Sequence, residues 1–141
     1  MRIARELIDQ LVAHVLEDPA NEICGIVAVE SDGAPPGERR AARVYPAANL
    51  HASPLRFEIE PKDLLRLSNE IDARGWDIGA IYHSHVRSKP YPSQTDINFA
   101  ANWPGVEWII VGLAEGQPPE VRSYLIEGGE VKEVPIAETP P

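Results

Sequence analysis

At 141 residues the chain has the length of one domain, enough to bury a core without disulfides or a structural metal. Its 43% apolar and 25% charged residues are those of an ordinary globular protein, and 13 basic against 22 acidic residues leave a net charge of −9. That balance argues against nucleic acid or an anionic membrane as partner, since both need a basic surface. The single cysteine, Cys24, excludes an intrachain disulfide. With a charge-interrupted N-terminus and no run of eighteen apolar residues, it predicts a cytoplasmic chain without a signal peptide or a membrane span.

In chain order, Leu7, Ile8, Leu11, Val12, Val15 and Leu16 recur at helical spacing and predict a helix over 4–17, stopped by Asp18-Pro19. "EICGIVAVE" predicts a buried, β-branched strand that ends at the loop "SDGAPPGERRA". Short extended segments follow at 42–45 and 55–59. Pro61 suits the first turn of a second helix with Leu64, Leu65, Ser68 and Ile71 on its apolar face, ending at Gly75. "WDIGAIYHSH" is a strand, apolar where it begins and polar where it ends. "VRSKPYP" is irregular, and Ser93 starts a short helix to about Ala101. "VEWIIVGL" predicts a central strand, and "EVRSYLIE", Gly128-Gly129 and "EVKEVPI" a closing hairpin. These elements predict one α/β (α+β) domain over 1–135 and a frayed tail over 136–141.

Chemistry concentrates in residues 82–96, "YHSHVRSKPYPSQTD". His83 and His85 are two apart at a strand end, so they share a face and can converge on one ion. Asp96, in the first turn of the helix after the loop, is the nearest downstream carboxylate able to join them. Each piece also has a plainer reading. Two histidines at a strand end can simply be solvated or hydrogen-bonded, and Ser93 and Asp96 form an S-x-x-D capping box that would fix where the helix starts.

The combined pattern is more specific. H-x-H, seven residues, Ser, two residues, Asp, with an upstream strand carrying "EICG", resembles the JAMM (MPN+) zinc metallopeptidase family over nearly the whole chain. The resemblance implies a curved mixed β-sheet flanked by helices, as in cytidine-deaminase-like proteins. It implies one Zn²⁺ per chain bound by His83, His85 and Asp96, with Ser93 stabilising the oxyanion and Glu22 as general acid/base. Val86 stands where family members often have proline, which touches loop shape rather than ligands.

The short chain is most similar to small prokaryotic members of that family. These cleave the Gly-Gly end of ubiquitin-like sulfur-carrier proteins, which makes such a carrier the expected substrate and cysteine or a short extension the expected product. An isopeptidase acting on lysine conjugates, a non-catalytic MPN scaffold and a small-molecule amidohydrolase are the alternatives. Cys24 with His83 as base would make a cysteine hydrolase, against which a buried lone cysteine is the simpler reading. His14 is expected on the polar flank of the first helix and His51 in a loop. Asn49 is a candidate for bonding backbone near the site. Trp76, Trp103 and Trp108 are expected as packing residues, with groove lining an alternative for Trp103, while Tyr91 and Arg87 are candidates for substrate contact, equally surface residues.

Overall fold

The computed structural model describes residues 1–140. Its elements run β1 Arg2–Ala4, α1 Arg5–Val15, β2 Cys24–Glu30, β3 Ala41–Ala47, α2 Pro61–Ala73, β4 Trp76–His85, α3 Gln94–Ala100, β5 Glu107–Gly112, β6 Glu120–Glu127, β7 Glu130–Val134 and β8 Ala137–Thr139. Six strands form a mixed sheet in the order β3-β2-β4-β5-β6-β7, in which only β4 and β5 pair in parallel. The expected mixed sheet flanked by helices is the observed architecture.

β2, β4 and β5 are buried on both faces, and so their sequences read as nearly continuous apolar runs. Alternation sends Cys24, Ile26, Ala28 and Ile81 to one face, where Leu67 and Ile71 of α2 and Ala100 of α3 cover them. Val27, Val29, Ala80 and Tyr82 go to the other face, under Ile8, Leu11 and Val15 of α1. The same alternation carries His83 and His85 to the face of α2 and α3. Register irregularities of β2 at 27–29, against both neighbours, are where that strand bends. Gly25 is required beside Tyr82, because a Cβ there would lie 2.2 Å from the tyrosine ring.

Helix starts follow local chemistry. Pro61 opens α2 while the Glu60 carboxylate accepts from the amides of Lys62 and Asp63, at 3.0 and 3.2 Å. Of the apolar face expected for α2, Ile71 is buried and Leu64 packs against the core, whereas Leu65 is 65% exposed and Leu67 is buried in addition. Residues 55–59 do not form a strand; their ladder is limited to one bridge between Ile59 and Asn49. In the closing hairpin, Gly128 and Gly129 both take positive φ, 59° and 80°, as a two-residue turn between β6 and β7 requires.

The tail is a correction to the frayed end expected at 136–141. Ala137–Thr139 pairs in parallel with β1, a strand that the helical pattern had concealed, while Pro141 lies outside the described residues. The physical reason is the buried Met1. Its ammonium reaches Glu107 Oε1 at 3.1 Å and the Pro135 carbonyl at 2.8 Å, and its carbonyl accepts from the Ala137 amide at 2.8 Å. His14 is another correction, for it is half-buried and its Nδ1 lies 2.6 Å from the Tyr82 hydroxyl instead of facing solvent.

Candidate metal centre

Strand alternation, a helix cap and a long-range strand pairing together assemble one site at the C-terminal end of β4. His83 and His85 project from β4 with their Nε2 atoms 3.0 Å apart. Asp96 Oδ2 stands 3.2 Å from each of them. All three side chains are buried, His83 completely. Asp96 is delivered by the cap of α3: its amide donates to Ser93 Oγ at 3.2 Å, and the Ser93 amide donates to Oδ2 at 2.9 Å. The capping box read in the sequence is therefore present, and it aims the carboxylate.

Both histidines are held from behind. His85 Nδ1 must donate to the Lys89 carbonyl, 2.8 Å away, since a carbonyl can only accept. In the neutral ring that leaves the Nε2 lone pair facing Asp96. The His83 ring stacks on Phe57 with centroids 4.3 Å apart and planes at 24°. Its Nδ1 is buried without a hydrogen-bond partner among the described residues. Phe57, Trp103 and Trp108 line an apolar cavity of about 210 Å³, and Trp103 packs against the core that contains Phe57 and Trp108.

Glu22 closes the site from the residues just before β2. A carboxylate oxygen of Glu22 and one nitrogen of each histidine all lie within 4.8 Å of one another. Long-range pairing places it there, because Cys24 sits opposite His83 in the β2–β4 ladder. The Glu22 amide donates to the Ser53 carbonyl at 2.8 Å, and Asn49 Nδ2 donates to the Glu22 carbonyl at 3.0 Å. Next to it, the Ile23 amide donates to Ser84 Oγ at 2.9 Å. Asn49 thus has the backbone-bonding part anticipated for it. Phe57, Ser53, Ser84 and the Lys89 carbonyl carried no motif of their own.

The electrostatics separate the two carboxylates. Burial opposes ionisation of Asp96, but His83, the bonds from both histidines and the Ser93 amide outweigh it and hold the carboxyl well below the usual range. Glu22 is pushed up to about 7 by burial, with His85 pulling it down and Asp96 adding to the rise. Burial lowers His83 more than Asp96 raises it. His85 is raised despite its burial, through the bonds to Asp96 and the Lys89 carbonyl and the charges of Asp96 and Glu22. Burial, then the Asp63 and Glu22 carboxylates, push the Cys24 thiol up to about 12, which leaves no useful thiolate for a cysteine hydrolase.

These donors suit a cation. With His85 donating from Nδ1, its Nε2 and Asp96 Oδ2 both present lone pairs, and His83 cannot supply hydrogens to both. A tetrahedral ion with bonds of about 2.0–2.1 Å spaces its ligand atoms about 3.3 Å apart. The observed separations of 3.0, 3.2 and 3.2 Å are close to that. Two imidazoles and a carboxylate form a donor set that zinc accepts with a position to spare.

Residues 4–127 match the domain family described as prokaryotic homologs of the JAB domain. The chain belongs to that family. It is 31% identical over 134 residues to the CysO-cysteine peptidase of Mycobacterium tuberculosis, covering 95% of this chain and 88% of the relative. It is 31% identical over 144 residues to a desampylase of Haloferax volcanii, covering 97% and 95%. A probable TtuB-protein conjugate cleaving protease of Thermus thermophilus is 34% identical over 131 residues, covering 92% and 78%.

Solved structures agree on the fold of this JAB-domain chain. A Desulfitobacterium hafniense protein superposes with a TM-score of 0.82 at 30% identity, covering 98% of this chain and 93% of that one. A JAB1/MPN domain protein of Archaeoglobus fulgidus gives 0.60 at 18% identity, covering 98% and 100%, and bears on the fold alone. Family membership and the peptidase names of the relatives support a hydrolase. No described helix is long and apolar enough to cross a membrane.

Proposed function

We propose that this chain is a zinc-dependent peptidase that hydrolyses the amide bond at the C-terminal Gly-Gly end of a ubiquitin-like sulfur-carrier protein, releasing cysteine or a short extension. The observation that carries the reading is the convergence of His83, His85 and Asp96 within 3.2 Å of one another, with Glu22 beside them. His83, His85 and Asp96 would hold one zinc ion. When bound, zinc acidifies water and polarises the scissile carbonyl.

Glu22 takes the proton of the attacking water and returns it to the leaving amine. In the metal-free fold burial raises its carboxyl to about 7, and a cation bound beside it would favour the ionised form that accepts a proton. Ser93 uses its Oγ lone pair to accept from the Asp96 amide, so its hydroxyl hydrogen remains available to donate to the oxyanion. Ser93 itself is an exposed residue, as contact with a substrate requires. The Lys89 carbonyl holds His85 in the tautomer that leaves Nε2 free, and Asn49 and Ser53 hold the backbone of Glu22. We assign the activity to the cytoplasm, where a lone buried cysteine is at home.

A second reading is an isopeptidase that removes ubiquitin-like proteins from lysines, favoured by the names of the Haloferax and Thermus relatives. A scaffold without turnover is disfavoured by Glu22, which such a protein would have no reason to bury beside the histidines. The deciding experiment incubates the zinc-loaded protein with a sulfur carrier bearing a C-terminal cysteine, and separately with a lysine-linked conjugate. Mass spectrometry follows both with and without chelator. Chelator-sensitive loss of the terminal residue supports the proposal; intact substrates after long incubation overturn it.

A further inference from the structure

On the β5 side of the site, the loop 86–92 and the connection 113–119 enclose a recess of about 520 Å³. Arg87, Ser88, Lys89, Pro118 and Glu120 line it. Both walls are tied to His85. Its Nδ1 donates to the Lys89 carbonyl at 2.8 Å on one wall, and its carbonyl accepts from the Leu113 amide at 3.0 Å on the other. Pro90 seats against Gly112, where a Cβ would lie 2.8 Å from the proline ring, so the loop is held close to β5.

The charge on this recess departs from that of the molecule. The chain carries −9 overall, yet Arg87 and Lys89 are exposed and have no ion-pair partner among the described residues. The one acid on the wall, Glu120, is already engaged by Arg122 at 2.8 Å. Two uncommitted cations therefore line one recess whose walls are bonded to His85. On the opposite flank of β4, the loop that holds Glu22 exposes Leu50 and Leu55, at 49% and 82%. A peptide laid across the strand ends would meet apolar groups at one end and positive charge at the other.

We infer that Arg87 and Lys89 bind the free α-carboxylate of the residue released, and so select an α-linked C-terminal residue over a lysine-linked conjugate. This rests on the peptidase reading above and sharpens it. In a single-residue leaving group the carboxylate carbon is two bonds, about 2.5 Å, from the scissile nitrogen. It therefore falls next to the metal centre, and Arg87 and Lys89 are rooted two and four residues past His85, on the loop that leaves it. Arginine offers a planar fork for a carboxylate and lysine a point charge. An isopeptide bond to a protein lysine has methylenes at that position and no anion.

The test compares three substrates: a carrier ending in one α-linked residue after Gly-Gly, the same carrier with that residue amidated, and a lysine-linked conjugate. The wild-type protein should favour the free acid over the amide by about 10–100-fold, chiefly through KM, with the preference shrinking as salt rises. In Arg87→Gln/Lys89→Gln the acid-to-amide ratio should collapse toward one, and Lys89→Arg should retain it. Equal wild-type turnover of acid and amide, or an undiminished ratio in the double variant, overturns the inference.

A binding readout separates this from failure of the peptidase reading. With Glu22→Gln protein, a short peptide ending in Gly-Gly-Cys should bind more tightly by calorimetry than its amide, and the advantage should vanish when Arg87 and Lys89 are also changed. Peptide discrimination without cleavage of any substrate would sink the peptidase reading and leave the carboxylate site standing. Cleavage without discrimination would do the reverse.

Discussion

Ser93 and Asp96 bond each other twice, amide to side chain in both directions, and the oxygen that closes this cap is the one both histidines face. The Ser93 amide reaches Asp96 Oδ2 at 2.9 Å, and that atom is 3.2 Å from Nε2 of His83 and of His85. The start of α3 and the position of the third candidate ligand are therefore one structural decision. A short helix of seven residues could not hold a carboxylate by itself, because its first turn would fray.

Two substitutions at Ser93 separate its roles. Ser93→Ala removes the cap and should cost about 0.5–2 kcal/mol of stability, whereas Ser93→Gly should cost only a few tenths. Both remove the hydroxyl donor, so both should lower kcat by about 10²–10³-fold. Denaturant midpoints and single-turnover rates on the same preparations check this. A glycine variant that turns over like wild type would show that the serine acts only as a cap.

Zinc should stabilise the protein strongly. Binding at a thousand times the dissociation constant contributes about 4 kcal/mol, visible as a raised thermal midpoint that chelator reverses. Asp96→Ala should abolish most of that zinc-induced shift, as should His85→Ala. Equal shifts in wild type and Asp96→Ala would place the metal elsewhere.

Glu22→Gln should retain one zinc per chain by metal analysis and lose about 10²–10⁴-fold in kcat, the range that a general acid/base supplies. Loss of zinc together with activity would instead make Glu22 a ligand, a possibility its proximity to both histidines raises.

The same substitution has a pH signature in metal-free protein. The Glu22 carboxyl is raised from 4.5 to about 7 in the fold, so the stability it contributes is complete below about pH 4.5 and is lost as pH rises through about 7. Wild type should therefore lose about 2 kcal/mol relative to Glu22→Gln between pH 4 and 8, allowing for solvent screening at the open edge of the site. Urea midpoints of the two proteins across that range give the comparison. A constant difference, or one of opposite sign, contradicts the raised carboxyl.

Gly25→Ala tests the sheet beneath the site. A Cβ at Gly25 meets the Tyr82 ring at 2.2 Å, and Tyr82 is fully buried with its hydroxyl 2.6 Å from His14. Overpacking should cost about 1–3 kcal/mol. Because Gly25 pairs with Tyr82 next to the Cys24–His83 pair, zinc affinity should fall as well.

The residues between 83 and 96 were legible because short-range geometry governs them. A strand places residues two apart on one face, and a capping box fixes a helix start within three residues. The strand at 76–85, the helix start at Ser93 and the glycine turn at 128–129 all follow from such local rules, and all are present. Leu65 and the tail were misread for one shared reason. Hydropathy marks residues that can be buried, but exposure depends on which element packs above them. α2 turns Leu67 and Ile71 inward, and β1 gives residues 137–139 a partner from the other end of the chain.

By itself, then, the sequence brought His83, His85 and Asp96 forward as candidate ligands, with their spacing and the cap that begins at Ser93. The family likeness brought Glu22 to the same site. Only the tertiary structure decided how that glutamate is held and what surrounds it: Asn49 and Ser53 on its backbone, Phe57 against His83, and the Arg87–Lys89 recess tied to both sides of His85. Those relations depend on the register of β2 and β5 against β4. Such register is set by cooperative burial of both sheet faces across widely separated segments, which no local pattern of residues encodes.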